Sequence, residues 1–301
     1  PDAVYQGAVG AHAGVKALAN SRGVGITSRS TMYDLGFSAL LKRSGEVGMF
    51  YEMAMGRRLA DVDPRGVTRK AAIEAEKYLG GTSVPSKPID IVLGPMASYS
   101  FVMELAAHCN AESIQRRRSF MTDRLGETIG SECLTLWDDG LIEAGLSSGA
   151  WDGEGARRRR VTLIENGRFV SMLHNSYTAG KAGVENTGHG SMSGSVSPTN
   201  VQIELGEATA EEIVGDVAEG IYLNYGALSP DASSGDISAS IDFGRLIENG
   251  KLTHPVTNVM VSGHIFDVLR AVDAVSKDYR AEPGLRLPTI RIRGVQAIGS
   301  R

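Results

Sequence analysis

The pentapeptide LIENG occurs at residues 163–167 and again at residues 246–250, and a basic residue follows each copy at once. Asn-Gly between two apolar-rich runs is the strongest short-range hairpin signal, because a type I′ turn requires positive φ at both central residues. Such a turn would set the glutamate of each copy opposite the basic residue that follows it. The repeat therefore predicts two β-hairpins, and it leaves open whether they arose by duplication or by shared turn chemistry.

Composition narrows the class of protein. The chain has 301 residues, of which 42% are hydrophobic and 22% are charged, as in ordinary soluble globular proteins. Its 37 glycines favour many turns and strands, and its net charge of −4 argues against a dedicated nucleic-acid binder. The two cysteines are too few for a disulfide framework, and neither a membrane span nor a signal peptide is visible in the sequence. We therefore expect a soluble, cytoplasmic protein.

In the first third of the chain, the spacing of hydrophobic residues changes near residue 62 from a strand pattern to a helix pattern. Residues 4–55 show the mixed alternation of antiparallel strands, punctuated by glycine and serine. A helix is then predicted to begin at the N-cap Asp63 with Pro64 in its first turn and to end at Gly80. The Ile/Val-rich run KPIDIVLGP (87–95) predicts a strand, and ASYSFVMELAAHCN (97–110) predicts a buried helix.

The remaining two thirds are expected to be richer in strands than in helices. In order, the signals predict strands within 131–176, loops over 179–194, a strand over 195–206, a helix over 209–224, hairpins over 235–263, a helix over 263–275 and a strand over 287–299. The helix at 209 begins with a capping box, in which Thr209 and Glu212 bond each other's backbone amides. The fold class is therefore α+β, with antiparallel sheets predominating.

Common catalytic signatures are missing from the sequence. It contains no G-x-S-x-G elbow, no Walker loop and no G-x-G-x-x-G between a strand and a helix. The six histidines are dispersed, and no two are four or five residues apart. His189, between glycines, is expected to lie exposed in a loop. The arginine runs 116–118 and 157–160 have acidic neighbours and predict a solvated face or a subunit contact.

The order of motifs along the chain resembles the TldD/PmbA family, and more closely its PmbA (TldE) branch. The resemblance is carried by ESIQRRRSFMTDRLGETIGS, LTLWDDG, RRVTLIENGRFVSMLHNSYTAGKAG, SVSPTNVQIELGEATAEEIV and HPVTNVMVSGHIFDVLRAVDAVSKD. It is good from Glu112 onward and looser over residues 63–110. The resemblance implies hairpin-rich antiparallel sheets with a few packed helices and a barrel-like C-terminal domain.

Domain boundaries follow from the same resemblance. Family members are longer at the N-terminus, so residues 1–62 are expected to be the C-terminal remnant of an N-terminal α/β domain. Residues 63–301 are expected to form the C-terminal PmbA/TldD-like domain. The beginning of a longer polypeptide is accordingly expected to be absent from this sequence.

The resemblance also implies a site. TldD-type subunits are zinc peptidases with HExxxH on a helix and a further cysteine ligand near the C-terminus; the glutamate serves as general base to a metal-bound water. Alignment of VMELAAHC with this motif sets Met103 at the first histidine, Glu104 at the base and His108 at the second histidine. The chain contains no His-Glu pair, and residues 273–287, where the cysteine is expected, contain none. Because a thioether is a weak zinc donor, we expect no catalytic residues and no metal in this chain.

The resemblance therefore implies a non-catalytic, PmbA-like subunit, which pairs with a TldD-type zinc subunit or with itself. Zinc is expected only in the TldD-type partner, and the substrates are expected to be short unfolded peptides, in proteolysis, peptide maturation or gyrase modulation. Strand edges would capture such peptides through main-chain hydrogen bonds. The exposed polar stretch with Ser195, Ser197, Thr199 and Asn200 is the predicted substrate contact.

Two alternatives stay open from the residues. One is a homo-oligomeric peptidase with a non-standard site that includes Glu104, His108 and Cys109, although adjacent helix residues point about 100° apart. The other is a protein- or nucleic-acid-binding module that uses the arginine runs, whose signature would be steep salt dependence.

Overall fold

The computed structural model describes residues 2–21 and 23–299. Its first part is a three-stranded antiparallel sheet made of β1 (Asp2–Ala19), β2 (Gly25–Arg43) and β3 (Glu46–Gly56), in that spatial order. The register of β1 and β2 runs without a shift from Asp2 opposite Lys42 to Ala19 opposite Gly25. The prediction of antiparallel strands over residues 4–55 is confirmed.

A short 3-10 turn (Leu59–Asp61) leads from this sheet to helix α1 (Pro64–Lys77). Asp63 caps the helix, because its side chain accepts the amide of Arg65 at 3.1 Å. The predicted helix start is therefore confirmed. The helix packs its buried face against β2 and β3. The domain boundary expected at residue 62 stays a prediction. Helix α1, which follows that residue, packs on the sheet that precedes it.

The rest of the chain alternates between helices and strands. In chain order the elements are β4 (Lys87–Leu93), α2 (Pro95–His108), α3 (Ala111–Gln115), β5 (Leu136–Asp139), β6 (Arg160–Glu165), β7 (Arg168–Phe169), α4 (Ser176–Ala182), β8 (Val201–Ile203), α5 (Ala210–Gly215), β9 (Glu219–Tyr225), β10 (Asp236–Ile241), β11 (Phe243–Glu248), β12 (Lys251–Val256), β13 (Val259–His264), α6 (Ile265–Arg270), β14 (Val272–Glu282) and β15 (Leu285–Gly299).

These strands form two sheets. The larger has eight strands in the order β10-β13-β15-β4-β9-β11-β12, with β14 added alongside β15, and it curls into a half-barrel. Its strands pair antiparallel except for β4 with β9, which run parallel. The smaller sheet has the order β7-β6-β5-β8 and is antiparallel throughout. The α+β class with hairpin-rich antiparallel sheets is therefore confirmed.

Both LIENG copies form tight hairpin turns. Their central residues have positive φ, at 47° for Asn166, 76° for Gly167, 49° for Asn249 and 75° for Gly250. Glu165 pairs with Arg168 between β6 and β7, and Glu248 pairs with Lys251 between β11 and β12. The cross-strand pairs predicted from the sequence are therefore present. Asn and Gly tolerate this backbone region with little steric cost, which explains why the same dipeptide occurs twice.

The main core forms where α2 lies between the two sheets. The helix contacts β15, β9 and β4 of the larger sheet and β5 and β8 of the smaller one. Its buried side chains include Phe101, Val102 and Leu105, which belong to one cluster with residues of both sheets. This packing fixes the helix on two sides. Any group on its remaining surface is consequently held at a defined position.

An aromatic cluster joins the first sheet to the larger one. Phe50 of β3 is fully buried, and its ring lies 5.6 Å from Tyr78, 5.4 Å from Tyr225 and 5.6 Å from Phe243 between ring centroids. Such edge-on and offset contacts add to the free energy gained from burying the rings. The three-stranded sheet is therefore attached to the rest of the molecule by a packed core.

Several local predictions are wrong, and tertiary pairing explains most of them. Residues 179–194 are mostly loop, as expected, although α4, which begins with Asn175 in a capping box, extends over the first of them. The strand expected over 195–206 is limited to β8, and the helices expected over 209–224 and 263–275 stop at Gly215 and Arg270. The chain then turns into β9 and β14, because these residues complete the larger sheet. Within the described ranges, none of the helices has the length and hydrophobicity needed to cross a membrane.

Candidate functional site

Helix α2 presents the three residues that the sequence aligned with a zinc motif. Met103 is partly buried and packs against the main core. Glu104 and His108 lie one turn apart, and Glu104 Oε1 is 3.4 Å from His108 Nε2. The side chain of Glu104 is 39% exposed and that of His108 is 12% exposed. The structure therefore brings the glutamate and the histidine together, while Met103 contributes packing.

The surroundings of His108 favour its neutral form. Its ring stacks at a tilt on Phe120, with 4.5 Å between centroids. Burial lowers the pKa of His108 below its usual value, and this effect outweighs the opposite influence of Glu104 and of Asp231. The contact with Glu104 is therefore a weak pairing of a carboxylate with a mostly neutral imidazole near pH 7.

The donors at this helix do not fit a zinc site. Structural and catalytic zinc sites take three or four protein ligands, and this position offers Glu104 and His108. Across residues 2–21 and 23–299, no three His, Cys, Asp or Glu side chains form a group that could hold a metal ion. Cys109 is fully buried, its thiol donates to the carbonyl of Leu105 at 3.5 Å, and burial raises its pKa. The set of Glu104, His108 and Cys109 is therefore not assembled.

The four predicted substrate contacts fall into two groups. Ser195 and Ser197 are exposed, and the Ser195 hydroxyl bonds that of Ser191 at 2.7 Å. Thr199 and Asn200 are buried, and Asn200 Nδ2 donates to the carbonyl of Asp139 at 2.8 Å. Only the serines therefore have side chains open to solvent. A substrate role for these four residues stays a prediction.

A buried polar network centred on Asp138 was not foreseen from the sequence. His189 Nε2 donates to Asp138 Oδ1 at 2.7 Å, and both side chains are 0% exposed. Thr199 donates its amide to the other carboxylate oxygen at 2.5 Å and its hydroxyl to Asp138 Oδ1. The prediction that His189 is exposed is wrong, because β5 supplies a buried carboxylate from 51 residues away along the chain. No local signal reports such a partner.

The same network continues into α4. The Thr187 hydroxyl lies 3.0 Å from His189 Nδ1 and accepts the amide of His174 at 2.6 Å. His174 Nδ1 is in turn 3.2 Å from the hydroxyl of Thr178 in α4. Buried polar groups that are satisfied in this way hold a single arrangement of the backbone. The long segment between α4 and β8 is therefore fixed from inside.

A cleft of about 600 Å³ opens where the first sheet meets β14. Glu52 of β3 lies beneath it, 2% exposed, with Lys70 Nζ at 2.5 Å and Arg280 Nη1 at 2.8 Å. The Tyr225 hydroxyl also donates to Glu52 at 3.0 Å. Burial alone would raise the pKa of Glu52, but Lys70 and Arg280 overcome it and leave that pKa below its usual value. The cleft therefore has a charged floor in which each ion is paired.

The two arginine runs are only partly neutralised. Arg116, Arg117 and Arg159 form ion pairs with Glu112, Asp123 and Glu185. In contrast, Arg157 and Arg160 stack on tryptophan rings, at 5.4 Å from Trp151 and 4.3 Å from Trp137. The second run therefore combines a solvated face with cation–π contacts.

Family models match nearly the whole described chain. Residues 2–79 match the PmbA/TldA metallopeptidase central domain, and residues 86–299 match the PmbA/TldA metallopeptidase C-terminal domain. The fold and the sequence thus define a metallopeptidase-type α+β protein. The chain belongs to the PmbA/TldA metallopeptidase family. The resemblance inferred from the motifs is therefore confirmed.

Individual relatives agree with this assignment. The chain is 34% identical over 221 residues to a metalloprotease of Methanocaldococcus jannaschii, covering 71% of this chain and 49% of that protein. A crystal structure of a candidate modulator of DNA gyrase from Bacteroides thetaiotaomicron superposes with a TM-score of 0.88, at 26% identity, over 98% of this chain and 66% of that one. TldE from Thermococcus kodakarensis shares the fold, with a TM-score of 0.87 at 23% identity over 97% of this chain and 69% of that one. The chain spans about half the length of the first curated relatives it matches.

Proposed function

We propose that this chain is a non-catalytic subunit of a peptidase complex in the cytoplasm, which acts on short unfolded peptides. In this proposal a TldD-type partner supplies the zinc and the hydrolytic water, and this chain supplies structure and peptide-binding surface. The observation that supports the proposal is the set of possible zinc ligands on helix α2. Met103 packs against the core where the family motif requires a ligand, and the remaining Glu104–His108 pair provides too few donors to hold zinc.

The position of α2 supports the same proposal. The helix is held between two sheets, so a ligand missing at Met103 cannot be replaced by a small shift of a neighbouring loop. The thiol of Cys109 is fully buried in the core and donates to the carbonyl of Leu105, so it cannot serve as a third ligand without unpacking the core. In this proposal, peptide hydrolysis therefore takes place at a zinc ion that another protein chain holds.

Names among the relatives are consistent with an assembly of two related subunits. Relatives include proteins named PmbA and TldD, and the fold is shared with TldE. A homodimer of this chain would lack a complete donor set in both copies, whereas a heterodimer with an HExxxH-bearing relative would contain one. The heterodimer is therefore the form we propose.

Reconstitution with an HExxxH-bearing relative from the same cell tests this proposal. We expect no hydrolysis of an unstructured peptide by this chain alone, hydrolysis after the partner is added, and loss of hydrolysis when the partner's motif glutamate is changed to glutamine. The matched variant Glu104→Gln in this chain should leave the rate of the mixture unchanged. Stoichiometric zinc on the purified chain after dialysis against a mild chelator, or a rate that collapses with Glu104→Gln, would refute the non-catalytic role.

A further inference from the structure

A row of alternating aromatic and cationic side chains crosses the junction of the larger sheet and the smaller sheet. Tyr279 of β14 lies 5.9 Å from the guanidinium carbon of Arg286 in β15, which lies 6.0 Å from the ring of Trp137 in β5. Arg160 of β6 lies 4.3 Å from the same ring. These four residues are called the Trp137 row. They come from four strands, and the α2 helix and the buried network around Asp138 do not include them.

Strand pairing explains why these side chains share a surface. Asp139 pairs with Arg160 across β5 and β6, and Trp137 is two residues before Asp139, so Trp137 and Arg160 point to the same face. The opposite face of this pair carries the buried Asp138 and Val161. The row is therefore set by the sheet backbone.

The same reasoning applies to the hairpin of β14 and β15. Arg286 pairs with Ala281, and Tyr279 lies two residues before Ala281 on the same face. Tyr279 is 46% exposed, and Arg286 is half-buried beside it. A ligand that approaches from solvent therefore meets both the tyrosine ring and the guanidinium group.

The guanidinium groups of the row have no anionic partner among residues 2–21 and 23–299. Arg280, Arg291 and Arg293 each donate to carboxylates, whereas neither Arg160 nor Arg286 makes an ion pair or a side-chain hydrogen bond there. The carboxylate closest in register, Asp139, accepts the amide of Leu141 at 2.9 Å. A guanidinium stacked on a ring keeps its N–H edge free for a carboxylate. The row therefore offers two cations that form no ion pair with a carboxylate of the described residues.

The spacing of these cations suits an extended peptide. Both guanidinium carbons lie over one indole ring, so they are within about 10 Å of each other. In an extended chain, side chains two residues apart point to the same side and are separated by about 7 Å. Two acidic residues at positions i and i+2 would therefore reach the two arginines together. A polyanion such as nucleic acid is disfavoured, because the chain carries a net charge of −4 and the row has only two cations.

We propose that the Trp137 row binds extended peptide segments that carry Asp or Glu at positions i and i+2, with one carboxylate on Arg160 and one on Arg286, an inference that rests on the proposed peptidase role. Tyr279 and Trp137 contribute flat apolar surface to the intervening backbone. This binding selects acidic segments among unfolded peptides, since each carboxylate forms a charge-assisted bond that an amide side chain cannot match.

Tryptophan fluorescence provides a direct test, because the chain has only two tryptophans. The variant Trp151→Phe leaves Trp137 as the sole reporter. Addition of an unstructured peptide with glutamates at i and i+2 should change the fluorescence emission of Trp137, and the change should saturate as the peptide concentration rises. The same peptide with glutamines in place of the glutamates should bind about tenfold more weakly. Arg160→Gln and Arg286→Gln should each weaken binding of the glutamate peptide about tenfold, with an unchanged urea midpoint as evidence of folding.

Arg157→Gln is the matched control, measured in the wild-type background with labelled peptide, because Arg157 stacks on Trp151 outside the row. It should change the affinity less than about twofold. Equal affinity for the glutamate and glutamine peptides, or an equal loss with Arg157→Gln, would overturn the proposal. So would binding of a single-stranded oligonucleotide without binding of the acidic peptide.

The outcome can be separated from that of the proposed function. A chain that supports hydrolysis by its partner but does not discriminate between the two peptides would refute the role of the Trp137 row alone. A chain that binds the acidic peptide through Arg160 and Arg286 but does not support hydrolysis would refute the peptidase-subunit role alone.

Discussion

Glu52 of β3 and Arg280 of β14 form an ion pair of 2.8 Å across the boundary between the first sheet and the larger sheet. They are 228 positions apart in the chain, and Lys70 of α1 completes the arrangement at 2.5 Å. Because Glu52 is almost fully buried, its charge depends on these partners. The pair therefore couples the attachment of the first sheet to the ionisation of one carboxylate.

Replacement of this carboxylate should be costly. We expect Glu52→Gln to lower the free energy of unfolding by about 3 kcal/mol, because a neutral amide at this buried position cannot pair with Lys70 or Arg280, and Arg280 keeps only Glu282. Urea denaturation at pH 7 measures this. The control is Glu76→Gln, which breaks an exposed ion pair with Arg43 and should cost no more than about 1 kcal/mol. Equal costs for the two variants would contradict the importance of burial.

The pH dependence of stability should report the same residue. The pKa of Glu52 is lowered in the folded protein, so the unfolded chain takes up its proton first as pH falls. The contribution of Glu52 is therefore present above its unfolded pKa of about 4.3 and is lost as pH falls through the folded value. Unfolding curves between pH 3 and pH 7 should show a steeper loss for the wild type than for Glu52→Gln. Parallel profiles would show that another group governs the acid limb.

The aromatic cluster should be as important as the ion pair. We expect Phe50→Ala to cost about 3–5 kcal/mol, because it removes a fully buried ring from contact with Tyr78, Tyr225 and Phe243. Thermal unfolding followed by near-UV circular dichroism measures the loss. Val9→Ala on the exposed strand β1 is the control and should change stability by less than about 0.5 kcal/mol.

The buried network around Asp138 should hold the segment between α4 and β8 in one conformation. We expect Asp138→Asn to cost about 1.5–3 kcal/mol, because His189 and Thr199 lose hydrogen bonds to a buried carboxylate. Limited proteolysis should then cut residues 184–200 faster than in the wild type. Disruption of the exposed pair His12–Asp34 by Asp34→Asn should leave both readouts nearly unchanged. Unaltered proteolysis in Asp138→Asn would mean that other contacts hold this segment.

The first hairpin turn should resist substitution at its glycine. Gly167 has a φ of 76°, and an added Cβ would meet the carbonyl oxygens of Gly130 and Ser131. We expect Gly167→Ala to cost at least about 1–2 kcal/mol from the left-handed backbone alone. Gly14→Ala in β1 is a matched control, because a Cβ there meets no atom within 4 Å. A loss in both variants would indicate a general effect of glycine replacement.

Local chemistry made a large part of the fold predictable. The Asn-Gly turns, the Asp63 cap with Pro64 and the Thr209 box all appear at the expected residues. Each of these turns and caps is formed by interactions among two to four neighbouring residues, so the local sequence is sufficient to predict it. The reduced donor set at α2 was also readable, because a residue type that is missing from a stretch cannot be supplied by folding.

Tertiary structure decided the remainder. Residues after Gly215 and Arg270 continue a helical pattern but become β9 and β14, because hydrogen bonds to neighbouring strands outweigh a weak local preference. The burial of His189 likewise depends on a carboxylate that only the completed sheet brings near.

By itself, then, the sequence determined the turns, the caps, the fold class and the residue types available on α2. Only the tertiary structure decided which charges meet at a buried carboxylate, as Arg280 does at Glu52, and which form no ion pair within residues 2–21 and 23–299, as with Arg160 and Arg286. The physical reason is the separation along the chain between the residues that interact. Turn and capping interactions close within a few residues, whereas the desolvation and pairing of a charge depend on strands that meet only after the chain has folded.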